Sequence, residues 1–237
     1  MLYNIYLRAD QEMKPIKAVV MYSGGKDGHL ALLRALDDGA EIAGLLYLDG
    51  GRKHFELFHD SRKADLVREL ARANGYKFYR VKVREEIKSD AFLEFLRDFV
   101  VEKVGGAEAL YMGITDELPE ENSMHERMEK IFRKRGLRCV FPLLNLTFSQ
   151  VLAELPQKKV KAVIMGAVGP DSYGFLGKTP DKAFLRHAAK LKCDGNQFQT
   201  LVVASPAFKA GVRIKKTRPV DTPEEGRYLE LLDWEVG

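Results

Sequence analysis

The order of elements in this sequence predicts an α/β fold with a mainly parallel sheet and helices on both faces. Three observations carry that expectation. Short apolar runs rich in β-branched residues alternate with segments of helical spacing. A Ser-Gly-Gly-Lys-Asp break, Ser23 to Asp27, sits at the first strand-to-helix junction. Each of the first three helical segments stops at glycine, at Gly39, Gly75 and Gly105-Gly106, as expected where the chain turns through a left-handed conformation.

In order, Ile16–Tyr22 reads as a buried strand, and the helix after the break carries Leu30, Leu33 and Leu36 on one face. Ile42–Leu48 is a second strand ending at Asp49-Gly50-Gly51. A polar loop with His54 and His59 precedes a helix capped by Asp60 or Ser61 and running through Ala73. Tyr76–Val83 is a third strand, and Phe92, Leu96, Phe99 and Val100 mark a third helix. Ala109–Met112 is a fourth strand. Ser123-Met124-His125-Glu126 matches a capping box, and Met124, Met128 and Ile131 line the helix it opens.

A second region is expected from about Gly136, which divides the chain into residues 1–135 and 136–237. It is read as a smaller α/β domain. Arg138–Phe141 is a strand, Thr147-Phe148-Ser149-Gln150 a capping box whose helix ends at Pro156, and Val160–Gly166 a strand. Thr179-Pro180 reads as a helix start, with the helix running to about Leu191. Gln199–Ala204 and Gly211–Lys215 read as strands, and the last twenty residues give weak signals.

Composition narrows the class. Of 237 residues, 46% are hydrophobic and 30% charged, which excludes a disordered chain. No apolar run approaches the roughly 20 residues that cross a bilayer, and Met1–Asp10 carries no signal-peptide pattern. The two cysteines, Cys139 and Cys193, exclude a disulfide framework or four-Cys zinc site. They suit a reducing, cytoplasmic setting. A net charge of +4 demands no nucleic-acid partner, and no membrane partner is expected. Association with a second copy stays open.

The most informative segment is the break itself. Parallel sheets bind ligands beyond the carboxyl ends of their strands. Here Ser23–Asp27, Asp49, Arg84-Glu85 and Gly113–Glu117 should meet on one rim. Gly24 and Gly25 allow close backbone approach, the helix start offers N–H groups to an anion, and Ser23 adds a hydroxyl. Lys26 adds a positive charge. Asp27 can cap the helix or hold a Mg²⁺ that bridges phosphates. The sequence meets neither Gly-x-x-x-x-Gly-Lys-Ser/Thr nor Gly-x-Gly-x-x-Gly. The plainer reading is a glycine-rich turn that only starts a helix.

Met21-Tyr22-Ser23-Gly24-Gly25-Lys26-Asp27 resembles the pyrophosphate loop of the N-type ATP pyrophosphatases, the PP-loop superfamily. The resemblance implies a Rossmann-like, adenine nucleotide alpha hydrolase-like fold. It also implies ATP and Mg²⁺ as cofactors, ATP split between its α and β phosphates, and AMP placed on an acceptor oxygen. There is no Cys-x-x-Cys of the thiolating members and no room for a glutaminase domain, so a nitrogen nucleophile would enter as free ammonia.

The resemblance extends to diphthine–ammonia ligase along nearly the whole chain. Phe58-His59 falls at an aromatic-His pair of that family. His125-Glu126-Arg127-Met128-Glu129 lies over Gln-Arg-x-Arg-x-Glu, and Phe175-Leu176-Gly177-Lys178 over Trp-Leu-Gly-Arg. Asp194-Gly195-Asn196-Gln197-Phe198-Gln199-Thr200 lies over Glu-Gly-Gly-Glu-Tyr/Phe-Glu-Thr, with Pro206 and Phe208 following. The implied substrates are diphthine-bearing elongation factor 2 and ammonium. The implied catalytic residues are Lys26, His59, Arg127 and Asp194. Ser23, Gly24, Gly25, Lys26, Asp27, Gly28 and Asp49 would hold ATP, and Asp27 the metal.

The chain departs from the pattern in three places. Gly28 stands where the family has Ser, and Gln197 and Gln199 stand where it has carboxylates. An amide neither takes a proton from ammonium nor binds a metal at neutral pH. Two alternatives therefore stay open: a PP-loop ATPase acting on another acceptor such as tRNA, and an ATP-binding paralogue without ligation. Plainer roles also stay open for several residues: His59 as a polar loop residue, Asp49 as a strand-end turn, and Asp116, Glu117, Glu120 and Glu121 as a solvated loop. Arg213, Lys215, Lys216 and Arg218 read as a solvated basic edge.

Overall fold

The structure, a computed structural model, describes residues 14–50, 61–83, 89–115, 124–190, 197–222 and 226–237 (Ser61 and Arg62 by backbone only). Strand β1 (Lys17–Met21) leads into helix α1 (Lys26–Asp37), followed by β2 (Glu41–Asp49), α2 (Ser61–Ala73), β3 (Phe78–Lys82), α3 (Asp90–Lys103), β4 (Ala109–Tyr111), α4 (Met124–Arg133) and β5 (Arg138–Val140). These strands form one five-stranded sheet in the order β3-β2-β1-β4-β5, and every pair is parallel.

Both faces of the sheet are covered, which is why its strands are apolar throughout. Ala18, Val20, Tyr22, Leu45 and Tyr47 pack with α1 and α2 on one face. Val19, Leu46 and Leu48 pack with α3 and α4 on the other. Leu36 departs from the expected helix face, being 38% exposed, because α1 turns Leu30, Ala31, Leu32 and Ala35 inward instead. Gly39, Gly75 and Gly106 all have positive φ, as the glycine signals require. Ser89 caps α3 by accepting the Phe92 N–H at 3.2 Å. The capping box proposed at Ser123 lies outside the described residues.

β5 pairs with β4 and completes the first sheet. The strand expected to open the second region therefore belongs to the first, and sheet membership changes after Val140 rather than at Gly136. Beyond it lie α5 (Phe148–Gln157), β6 (Lys161–Ala167), a short 3-10 turn (Pro170–Phe175), α6 (Lys182–Lys190), β7 (Phe198–Ala204), β8 (Val212–Thr222) and β9 (Gly226–Val236). The capping box of α5 is formed in both directions, Gln150 N–H to Thr147 Oγ1 and Thr147 N–H to Gln150 Oε1. Helix α6 starts at Lys182, later than Thr179-Pro180, because Asp181 caps it by accepting the Phe184 N–H at 2.8 Å.

The second sheet runs β7-β6-β9-β8 and is antiparallel throughout. The α/β expectation for this region is thus met by an antiparallel sheet with two helices. β8 and β9 are far longer than the weak local signal suggested. Their charges are paired across the hairpin: Arg213 and Lys215 with Glu235, and Arg218 with Glu230. Pairing of this kind accounts for much of the basic edge as strand-to-strand complementarity.

The two regions share structure. Met165, Leu201, Val212 and Leu231 pack into the same core as α1 and α2. Arg34 of α1 forks onto Glu154 of α5 at 2.8 and 2.9 Å, and Trp234 Nε1 donates to Glu69 of α2 at 2.9 Å. Among the described residues no helix is long and apolar enough to cross a membrane.

Candidate nucleotide site

The strand order reverses at β1, since β2 and β3 lie on one side of it and β4 and β5 on the other. Parallel sheets open a crevice at such a point, beyond the strand ends. A cavity of about 370 Å³ lies there. Met21, Tyr22 and Ser23 line it from the end of β1, Leu46 and Leu48 from β2, and Met112, Gly113 and Ile114 from the segment after β4. Phe92, Leu93 and Leu96 of α3 and Met124 and Met128 of α4 complete an apolar wall. Asp27 and Gly28 stand at its polar end. A flat, mostly apolar heterocycle with a charged tail fits that distribution.

Two glycines allow close approach here: Gly113 sets the segment after β4 against the start of α1, and Gly28 sets α1 against β1. A Cβ on Gly113 would overlap the Asp27 carbonyl, and a Cβ on Gly28 would lie 3.0 Å from the Met21 carbonyl oxygen. The expected serine hydroxyl at position 28 is thus replaced by close packing of helix on strand. Gly24 has φ +84, open to glycine at little cost.

Of the candidate residues, Ser23, Asp27 and Gly28 line the cavity, while Gly24, Gly25 and Lys26 form the loop beside it. Lys26 is only 2% exposed. Its Nζ donates to Asp27 Oδ2 at 2.8 Å and sits 5.0 Å from the centre of the Phe148 ring. Phe148 stacks on Phe198 of β7, so the loop's lysine faces aromatic side chains of the second region. Asp49 is buried, and Arg80 of β3 forks onto its Oδ2 at 2.8 and 2.6 Å. Arg127 pairs with Asp90 at the start of α3. Asp49 and Arg127 are not among the described residues that line the cavity. His59 and Asp194 lie outside the described residues, as do His54 and the acidic loop 116–121.

Sequence reasoning missed Arg80 and Phe148, which left no local signal. Gly113, expected on the rim, does line the cavity. A larger cavity of about 480 Å³ lies between edge strand β3 and α3, lined by Arg80, Lys82, Phe92, Phe95 and Phe99. None of the described candidate residues lines it.

Asp27 is the one carboxylate among the described cavity-lining residues. Among the described residues no cluster of three or more His, Cys, Asp or Glu is placed to hold a metal. Mg²⁺ commonly takes one or two carboxylates and completes its shell with phosphates and water, so Asp27 alone fits an ion that arrives with a nucleotide. Cys139 offers no thiolate, because burial, with Glu129 nearby, pushes its thiol up to about 12.

Residues 16–139 match the family model of the diphthamide synthase N-terminal domain, more than half of the chain. The chain belongs to the diphthamide synthase family. Membership makes it an ATP-using, PP-loop enzyme, and the matched residues include the Ser23–Asp27 loop beside the cavity. Among solved structures, it is similar to a chain from Methanocaldococcus jannaschii described as a predicted subunit of tRNA methyltransferase. That similarity has 16% identity and TM-score 0.43, covering 81% of this chain and 98% of that one. No curated protein matches.

Proposed function

We propose that the protein is an ATP-dependent, AMP-forming ligase that amidates the diphthine carboxylate of elongation factor 2 with ammonia. The observation that carries this is the cavity at the sheet's reversal point, with Ser23, Asp27 and Gly28 at its polar end, in a chain of the diphthamide synthase family. Adenosine would lie against Met21, Leu48, Met112 and Met128, with the phosphates toward Ser23 and the start of α1. Mg²⁺ bound with ATP would neutralise phosphate charge near Asp27. The acceptor carboxylate attacks the α-phosphorus and pyrophosphate leaves. Ammonia then attacks the acyl carbon, AMP leaves, and one proton is released. The loop holds the phosphates in place while the apolar wall keeps water from the adenylate.

The test is AMP formation from α-labelled ATP with Mg²⁺, with and without ammonium and diphthine-bearing elongation factor 2. AMP that appears only with both supports this reading. Its absence, with ATP bound, removes the reading.

A second reading is favoured by Gln199, which is 2% exposed and whose Nε2 has no partner among the described residues. An amide there supplies no base for ammonium. On this reading the chain adenylates another acceptor, such as tRNA, or binds ATP without ligation. Steeply salt-dependent tRNA binding would favour the former, and ATP binding without turnover the latter.

A further inference from the structure

Helix α1 begins without a side-chain cap of its own. Its N-cap residue is Gly25, which has no side chain to offer. The first N–H groups of a helix have no acceptor within the helix, and Ser, Thr, Asp or Asn normally supplies one from the N-cap position. Here the acceptor comes from the other end of the chain. Thr200 Oγ1, on β7, accepts the Lys26 N–H at 3.0 Å across 174 residues of sequence. Two residues along the same strand, the Val202 N–H donates to the Gly24 carbonyl at 2.8 Å. β7 therefore grips the loop on both sides of Gly25.

The approach is close. A Cβ on Gly25 would be in ordinary contact with the Thr200 carbonyl oxygen, at 3.4 Å. A Cβ on Gly24 would meet Val67 at 3.2 Å and Leu201 at 3.3 Å. The neighbours of Thr200 on β7 are committed elsewhere. Phe198 and Val202 fill the core of the second region, and Leu201 fills the core shared with α1 and α2. Thr200 is itself buried, so its hydroxyl is held where the Lys26 N–H needs it.

We infer that Thr200 is a positioning residue for the phosphate loop. Its hydroxyl caps α1 from the second region and fixes the peptide groups of Gly24–Asp27 before ATP arrives. This rests on the proposed nucleotide reading for its effect on ATP, though not for its effect on the loop. Preorganised donors act without a reorganisation cost at the moment of binding, so loosening the loop should weaken ATP while leaving the fold intact.

The test compares wild type, Thr200→Val and Thr200→Ser in the full chain. Valine keeps the shape and deletes the hydroxyl, and serine restores it. In the ligand-free protein, amide hydrogen exchange at Lys26 should speed up about fivefold or more in Thr200→Val and return to the wild-type rate in Thr200→Ser. The dissociation constant for ATP should rise about fivefold in the valine variant, the size of one net hydrogen bond, and recover in the serine variant. If Thr200→Val does not fold, Thr200→Ala with the same two readouts replaces it. Unchanged exchange at Lys26 overturns the inference. So does faster exchange with unchanged ATP affinity, which would reduce the bond to a structural one. If wild type binds no ATP, the nucleotide reading fails and the positioning role falls with it. In that case, faster exchange in the valine variant would still identify the cap as structural.

Discussion

The hydroxyl of Tyr22 lies 3.2 Å from Nδ1 of His29, and both side chains are fully buried. Tyr22 ends the strand side of the phosphate loop, and His29 sits on the first turn of α1. The pair therefore ties the loop's two ends together from beneath. Phe208, from the second region, packs edge-on against both rings, with its centroid 4.8 Å from His29 and 6.1 Å from Tyr22. Nε2 of His29 has no partner among the described residues. Burial lowers its pKa from the ordinary 6.5 to about 4.

That depression gives a pH prediction. The folded state holds His29 neutral while the unfolded chain takes up a proton below about 6.5, so the unfolded state binds more protons between those values. Stability from this group is present above pH 6.5, is lost as pH falls toward 4, and levels off below. The loss should amount to about 3 kcal/mol. Urea denaturation of wild type and His29→Gln between pH 7 and 4 checks it. The difference between the two should shrink as pH falls, and a constant difference would contradict the assignment.

Gly113→Ala should be costly through packing alone, although Gly113 also borders the cavity. The added methyl group overlaps the Asp27 carbonyl, so the end of β4 and the start of α1 must separate. Overpacking of this kind costs roughly 1–3 kcal/mol. Thermal melting should show the loss, and calorimetry should show weakened ATP binding. A variant that melts and binds like wild type would mean that this junction has slack.

Lys26→Met removes the charge but keeps a long side chain against Phe148. Asp27 then loses its 2.8 Å ion pair. Turnover of ATP should fall on the order of a hundredfold in kcat/KM if the ammonium acts on developing phosphate charge. Comparable activity in the methionine variant would confine Lys26 to packing.

Asn74 holds the two regions together at the carboxyl end of α2. Its Nδ2 donates to the carbonyls of Leu70 and Ala210 at 2.8 and 3.0 Å, and its Oδ1 accepts the N–H groups of Lys209 and Ala210. Asn74→Ala should destabilise by about 2 kcal/mol, lowering Tm by roughly 4–8 °C in a chain of this size. Asn74→Asp keeps the acceptor and should lie between the two. Equal melting of all three would show that the loop at Lys209–Ala210 holds without the side chain.

Much of the first sheet was legible. Its strands are buried on both faces, so each reads as an apolar run without help from its neighbours. Glycines at 39, 75 and 106 mark helix ends because backbone sterics are local. β9 was not legible. Leu229, Glu230, Leu231, Leu232 and Asp233 give no clean alternation. Buried Glu230 pairs with Arg218 of β8, which offsets the cost of burying its charge.

The same division runs through the site. The sequence by itself determined where the phosphate loop lies, that strand and helix flank it, and which residues it contains. These depend on spacing, propensity and glycine within a few positions. Only the tertiary structure decided what those residues touch. Arg80 occupies Asp49, Asp90 occupies Arg127, Phe148 covers Lys26, and Thr200 caps the helix that Gly25 cannot. Each of those contacts joins separate elements, and the last spans 174 residues. No local pattern encodes them, because they form only when elements distant in sequence pack together.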